Sequence, residues 1–326
     1  MHIPENYLSP STCAVFDVAM VPILGVAARK VREQVPREKL PLLGIAAAFS
    51  FLAMMFNIPL PGGTTGHAVC GTLIAILFGP WAAVIAVSIA LAIQALLFGD
   101  GGVLALGANC FNMAFVLPMV GYAVYRALKE RVGDTISAGI GSYVGLNSAA
   151  LIAAVEFGVQ PLLFSDATGN ALYCPYPLSV SIPAMMLGHL TVAGIAEVVF
   201  TVGILEFVRN AAPSFGIADN AAPVEKVPTS VLALIAALVV ATPLGLIATG
   251  DAWGEWGLED LAEMVGYAPA GMESGWELST LMPDYSIGGM PEWAGYILSA
   301  VIGVALLVVI FRLLGAAMPA KVNFDA

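Results

Sequence analysis

Met1, His2 and His67 carry the donor atoms in this chain best suited to hold a metal ion, in a sequence of 326 residues with only three histidines. A terminal amine on Met1, the main-chain amide nitrogen of His2 and the His2 imidazole can wrap one ion in fused chelate rings. Three nitrogens in a plane leave one corner open, which a second imidazole, such as His67, can close. An all-nitrogen square-planar set suits Ni(II) or Cu(II), with Co(II) a competitor. Ionising an amide needs a strongly polarising ion, which disfavours Mg(II) and Ca(II), whose ligands are oxygens. The scheme requires an unblocked, unprocessed Met1, because acylation removes the amine donor. The plain alternative makes His2 a tail residue and His67, in "PGGTTGHAVCG", a cap or loop residue.

Other polar residues stand in apolar surroundings. His189 and Glu197 share "MMLGHLTVAGIAEVVFT" about two helical turns apart; they read as a polar relay or as partners in interhelical hydrogen bonds. Cys70, one turn after His67, reads as a small core residue rather than a soft ligand. In "QALLFGDGGVLALGANCFNM", Gly99-Asp100-Gly101-Gly102 makes a turn between apolar helices. Asn109 and Asn112 then enter a helix, where buried amides must find partners. With Asp100 and Thr65 they either form a second layer that orients the metal ligands or simply fasten helices together. The four cysteines, Cys13, Cys70, Cys110 and Cys174, show no C-x-x-C spacing. No P-loop, H-E-x-x-H or G-x-S-x-G occurs, so the chain carries no ATPase or familiar hydrolase site.

The elements that must position these residues are membrane helices. Hydrophobic residues make up 59% of the chain and charged ones 11%, against about 25% charged in soluble domains. The net charge of −11 excludes a nucleic-acid partner, which needs a basic footprint. The expected fold is an all-α polytopic bundle among membrane lipid, with spans near 13–28, 40–56, 67–79, 82–98, 104–125, 133–157, 181–207, 228–249 and 294–311. With about nine crossings, the basic clusters around Arg29–Lys39, Arg126–Arg131, Arg209–Lys226 and Arg312–Lys321 share one side, which the positive-inside rule makes cytoplasmic. His2, His67 and the acidic loop 250–293 then face outward. The opening "MHIPENYLSPSTC" lacks the pattern of a secretory signal, and Pro4 and Pro10 favour an extended segment that turns back toward the bundle. The chain divides into a seven-helix body, 1–208, a cytoplasmic linker, 209–227, and a two-helix unit, 228–326.

"MHIPENYLSP", "PGGTTGHAVCGTLIAILFGPWAAV" and "QALLFGDGGVLALGANCFNMAF" closely resemble the nickel/cobalt substrate-capture components of energy-coupling-factor transporters, the NikM/CbiM family. The resemblance implies a seven-helix body whose own N-terminus is inserted as the metal site, with ligands at Met1, His2 and His67. Asn6 stands where the family often has glycine. Residues 228–326, with "GEWGLED" and "MPDYSIGGMPEW", are similar to the accessory unit that accompanies such proteins, although the usual P-D-G-L-E motif is only partly present. The resemblance implies Ni(II) or Co(II) as cargo, no prosthetic group, and ATPase and coupling transmembrane (T) subunits as partners. A rival reading is a self-sufficient, proton-coupled permease using His189 and Glu197. A metalloenzyme is disfavoured because four protein nitrogens leave no position open for water.

Overall fold

A computed structural model of the chain describes residues 1–61, 63–216 and 227–318. Residues 1–9 are an irregular, buried segment leading into α1, Pro10–Gln34. Ser9 caps this helix by accepting from the Thr12 amide, and Pro10 occupies the first position, where its missing N–H is not needed. α1 buries only a narrow stripe, Cys13, Met20, Ala27 and Val31. Its Val15, Val18 and Val21 are 66–70% exposed, a surface that suits hydrocarbon and not water. α2, Leu40–Met55, is the opposite case: every residue but Pro41 is buried, as befits a helix apolar all round.

A short hairpin, β1 Ile58–Leu60 with β2 Thr64–Gly66, follows and pairs Pro59 with Thr65. Residues 67–70 then run without regular structure into α3, Gly71–Phe78. The third span expected over 67–79 is therefore corrected. Its helix has eight residues, about 12 Å against the ~30 Å of a bilayer core, because the turn at Val69 and Cys70 is held open by Glu197. The remaining body helices are α4 Pro80–Phe98, α5 Leu106–Val132, α6 Asp134–Leu163 and α7 Leu178–Ala211. The C-terminal unit contributes α8 Thr229–Ile247, a small α9 Leu258–Val265 and α10 Glu292–Ala317. Eight helices among the described residues are long and apolar enough to cross a membrane.

α10 lies directly against α2, and Gly303 permits the approach: a Cβ there would stand 2.2 Å from the Phe51 ring. The two units thus share a core. One end of the bundle gathers the basic clusters. Lys39 donates to the Gly216 carbonyl, the Arg37 carbonyl faces Gly315 at the end of α10, and Asp134 pairs with both Lys129 and Arg209. The opposite end holds residues 1–9 beneath the 250–293 loop. α7 runs through Ala211, so the expected linker starts inside a helix; its residues 217–226, with Lys226, lie outside the described residues, as does Lys321.

Three helices contain π-helical stretches, at Gln94–Phe98, Cys110–Val116 and His189–Ala193. Such bulges turn a side chain out of its regular register and gather at functional positions. Cys13, Cys70, Cys110 and Cys174 are all free and buried.

Candidate metal centre

The N-terminal segment is a plug rather than a tail. Met1, His2, Ile3, Tyr7, Leu8 and Ser9 are each 3% exposed or less. Buried extended backbone must find partners outside itself, and here the body supplies them. Asn109 pairs twice with Ile3, its Oδ1 accepting from the Ile3 amide at 2.8 Å and its Nδ2 donating to the Ile3 carbonyl at 3.0 Å. The Gly102 amide donates to the same carbonyl. Glu5 Oε2 accepts from the Val103 amide at 2.6 Å, and Gln160 Oε1 from the Ser9 amide at 3.0 Å. Gly102 permits the close approach, since a Cβ there would lie 2.8 Å from the Glu5 main chain.

These contacts deliver His2 to His67. His2 Nδ1 stands 3.1 Å from His67 Nε2. Two nitrogens at right angles on one ion, each ~2.0–2.1 Å from it, are about 2.9 Å apart, so the pair already has the spacing of neighbouring ligands. His67 Nδ1 lies 3.2 Å from the Ala68 carbonyl. That oxygen can only accept, so the proton belongs on Nδ1 and Nε2 presents its lone pair. Burial, followed by the nearby terminal ammonium, holds the His2 ring down to about 3, and the ring is neutral at neutral pH.

Asp100 is the second neighbour of His2, with Oδ1 3.1 Å from Nδ1. Its other oxygen accepts from Gln94 Nε2 at 3.0 Å and from the Tyr285 hydroxyl. The Met1 ammonium pairs with Glu255 Oε1 at 3.1 Å. Burial pushes both carboxyls, Asp100 and Glu255, above the usual carboxylate range, with the ammonium opposing the shift. His2, His67, Asp100, Asp251 and Glu255 line one cavity of about 510 Å³. Among the described residues no three His, Cys, Asp or Glu side chains form a metal-binding group by themselves.

The other candidates sort by position. Asn109 joins the site through Ile3. Thr65 joins through its main chain, its amide donating to the Asp251 carbonyl at 3.2 Å. Asn112 is turned elsewhere, donating to Glu156 Oε2 at 2.7 Å inside the bundle, and so fastens α5 to α6. His189 and Glu197 do not bond one another among the described residues. His189 Nδ1 meets the Met185 carbonyl at 2.8 Å, and its ring lines a smaller cavity of about 200 Å³ beside Met1 and Thr65. Glu197 accepts from the Val69 amide at 2.7 Å and the Cys70 amide at 3.0 Å, bracing the left-handed turn at Cys70 (φ 61°) just after His67. Cys70 is a core residue, fully buried. Glu255, Tyr285 and Gln94 escape sequence reasoning: nothing in the spacing of the acidic loop separates Glu255 from its neighbours.

Residues 2–215 match the family described as the cobalt uptake substrate-specific transmembrane region, CbiM. The chain belongs to the CbiM family. Residues 228–319 match the PDGLE domain. A probable fused nickel transport protein, LarMN, of Lactiplantibacillus plantarum is 48% identical over 320 residues, 96% of this chain and 97% of that protein. The fused nickel transport protein NikMN of Rhodobacter capsulatus is 51% identical over 331 residues, 94% of this chain and 95% of that protein. A crystal structure of a truncated transition metal transporter superposes with a TM-score of 0.62 at 57% identity, covering 64% of this chain and 99% of that one. This CbiM-family chain is a multi-pass, α-helical membrane protein.

Proposed function

We propose that this chain is the substrate-specific membrane component of an ATP-driven importer and captures Ni(II) or Co(II) through the Met1 amine, the His2 amide and imidazole, and His67. The observation that carries this reading is the 3.1 Å separation of His2 Nδ1 and His67 Nε2, with Met1 and His2 both buried. A planar chelate from residues 1 and 2 leaves one corner beside His2 Nδ1, and His67 stands there. Nickel is favoured over cobalt as cargo. The relatives that match end to end, fused unit included, are nickel transport proteins at 48% and 51% identity, whereas a cobalt transport protein CbiM of Ruminiclostridium cellulolyticum is 34% identical over 173 residues.

The end of the bundle with the metal site faces outward, and the end with Lys39, Lys129 and Arg209 faces the cytoplasm, in keeping with the positive-inside rule. Energy comes from partner ATPases through a coupling transmembrane subunit. The hydrogen bonds of His189 and Glu197 support a bracing role and not a proton relay between them. Nickel uptake by cells that depends on co-expressed ATPase and coupling subunits is the expected result. Proton-driven uptake by the purified chain alone, reconstituted in vesicles, contradicts it.

A further inference from the structure

We propose that Glu255 and Tyr285, both from the 250–293 loop, are positioning residues of the metal site: Glu255 holds the Met1 nitrogen, and Tyr285, through Asp100, holds the His2 ring. The proposal rests on the ligand set given above and adds residues of the C-terminal unit to it.

A chelate that uses the first residue of a chain has a weak point, because a chain end has the most freedom to lose on binding. Glu255 meets this directly by its 3.1 Å contact to the Met1 nitrogen. Its own main chain is fixed on both sides. The Asp251 carbonyl accepts from the Thr65 amide, two residues before His67, at 3.2 Å, and the Trp256 carbonyl accepts from the Tyr7 hydroxyl at 2.8 Å. Glu255 is therefore tied to the strand that leads into one proposed ligand and to the segment that carries the others. A coordinated amine keeps N–H groups to donate, so the same carboxylate remains useful once an ion is bound, and its charge offsets part of the cation's.

Tyr285 is held as firmly. Its ring stacks on Phe98 at 4.7 Å between centroids, and its carbonyl accepts from Ser299 Oγ on α10 at 3.0 Å. Asp284 and Tyr285 both adopt positive φ, 50° and 58°, a conformation that side chains disfavour and that persists only where surrounding packing dictates it. The hydroxyl it delivers donates to Asp100 Oδ2 and accepts from Gln94 Nε2 at 2.8 Å. In the metal-free chain Asp100 thus keeps Oδ1 beside His2 Nδ1 and orders the ring next to His67; the contact is given up when an ion takes the place of the Nδ1 proton. A partner one step behind a ligand, as Glu255 is to the Met1 nitrogen, changes metal affinity by about 10- to 100-fold when removed.

The test uses the full chain in detergent, titrated with nickel while visible absorption reports the ligand geometry. Glu255→Gln is expected to weaken binding about 10- to 100-fold while the bound form keeps its square-planar spectrum, and Glu255→Asp is expected to recover most of the loss. Tyr285→Phe is expected to weaken binding, because Asp100 loses a donor and no longer orders the His2 ring of the metal-free chain, and to broaden or shift the spectrum of the bound form. Should Glu255→Gln fail to fold, Tyr285→Phe and Glu255→Asp decide the matter by the same criteria. Native affinity and spectrum in the Glu255 and Tyr285 variants, with binding abolished in His2→Ala, overturn the positioning roles and leave the ligand set intact. Native binding in His2→Ala as well overturns the ligand set itself.

Discussion

His2 and His67 are 65 positions apart in the chain, yet their ring nitrogens are 3.1 Å apart. The reading makes His2→Ala and His67→Ala abolish tight nickel binding, measured by titration of the purified chain, while His189→Ala leaves it largely intact. Binding must also expel protons, because the ammonium and the amide both lose one on becoming ligands. Calorimetry in buffers of different ionisation enthalpy is expected to show about two protons released per ion; release of none contradicts amide ligation. The buried His2 ring makes a further prediction. Its pKa falls from 6.5 to about 3 on folding, so the unfolded chain binds more protons in that interval. His2 therefore contributes stability that is lost as pH drops from 6.5 toward 3, whereas the raised Asp100 and Glu255 carboxyls act in the opposite sense. The difference between thermal melts of the native chain and His2→Ala isolates the His2 part. The proposed ligands Met1, His2 and His67 could be named from the sequence because histidine is scarce there and amine–amide–imidazole chelation depends only on neighbours along the chain. Glu255 and Tyr285 were not legible, because their roles depend on which of many loop residues the fold lowers onto Met1 and Asp100.

The turn from β2 into α3 shows what periodicity alone misses. Apolar residues from Ala68 onward read as a span, but two amides at Val69 and Cys70 are satisfied by the Glu197 carboxylate and not by a helix. An acid in a neighbouring helix thus stops α3 from starting earlier and leaves His67 on a braced loop. Glu197→Ala is expected to destabilise the chain by about 1–3 kcal/mol for each buried amide left without an acceptor, and to weaken nickel binding because His67 loses its support. Native stability in that variant contradicts the bracing role. Gly102→Ala makes a parallel case. Its Cβ, 2.8 Å from the Glu5 main chain, must push the N-terminal segment out of place, at about 1–3 kcal/mol and with weaker metal binding.

On the scale of the molecule, hydropathy and charge located nearly every long helix and grouped the basic clusters at one end, because both signals are averages over many residues. The same averages give the 250–293 loop only as an acidic, outward-facing stretch. The structure instead folds it over residues 1–9, with Glu255, Trp256 and Trp276 bonding to Met1, Tyr7 and Asn6. Orientation is open to direct measurement. The native cysteines are buried, so a thiol introduced by Ser279→Cys is expected to react with a membrane-impermeant maleimide on intact cells. One introduced by Glu130→Cys is expected to react only after permeabilisation. The reverse pattern would invert the topology.

Adding one residue ahead of Met1 shows whether the chain's own first nitrogen is a metal ligand. The extension alters no side chain's chemistry but converts the amine into an amide and moves the new terminus away from Glu255. Nickel titration of the extended protein is predicted to show loss of tight binding and of the square-planar spectrum. Binding as tight as that of the native chain, with an unchanged spectrum, would contradict the account.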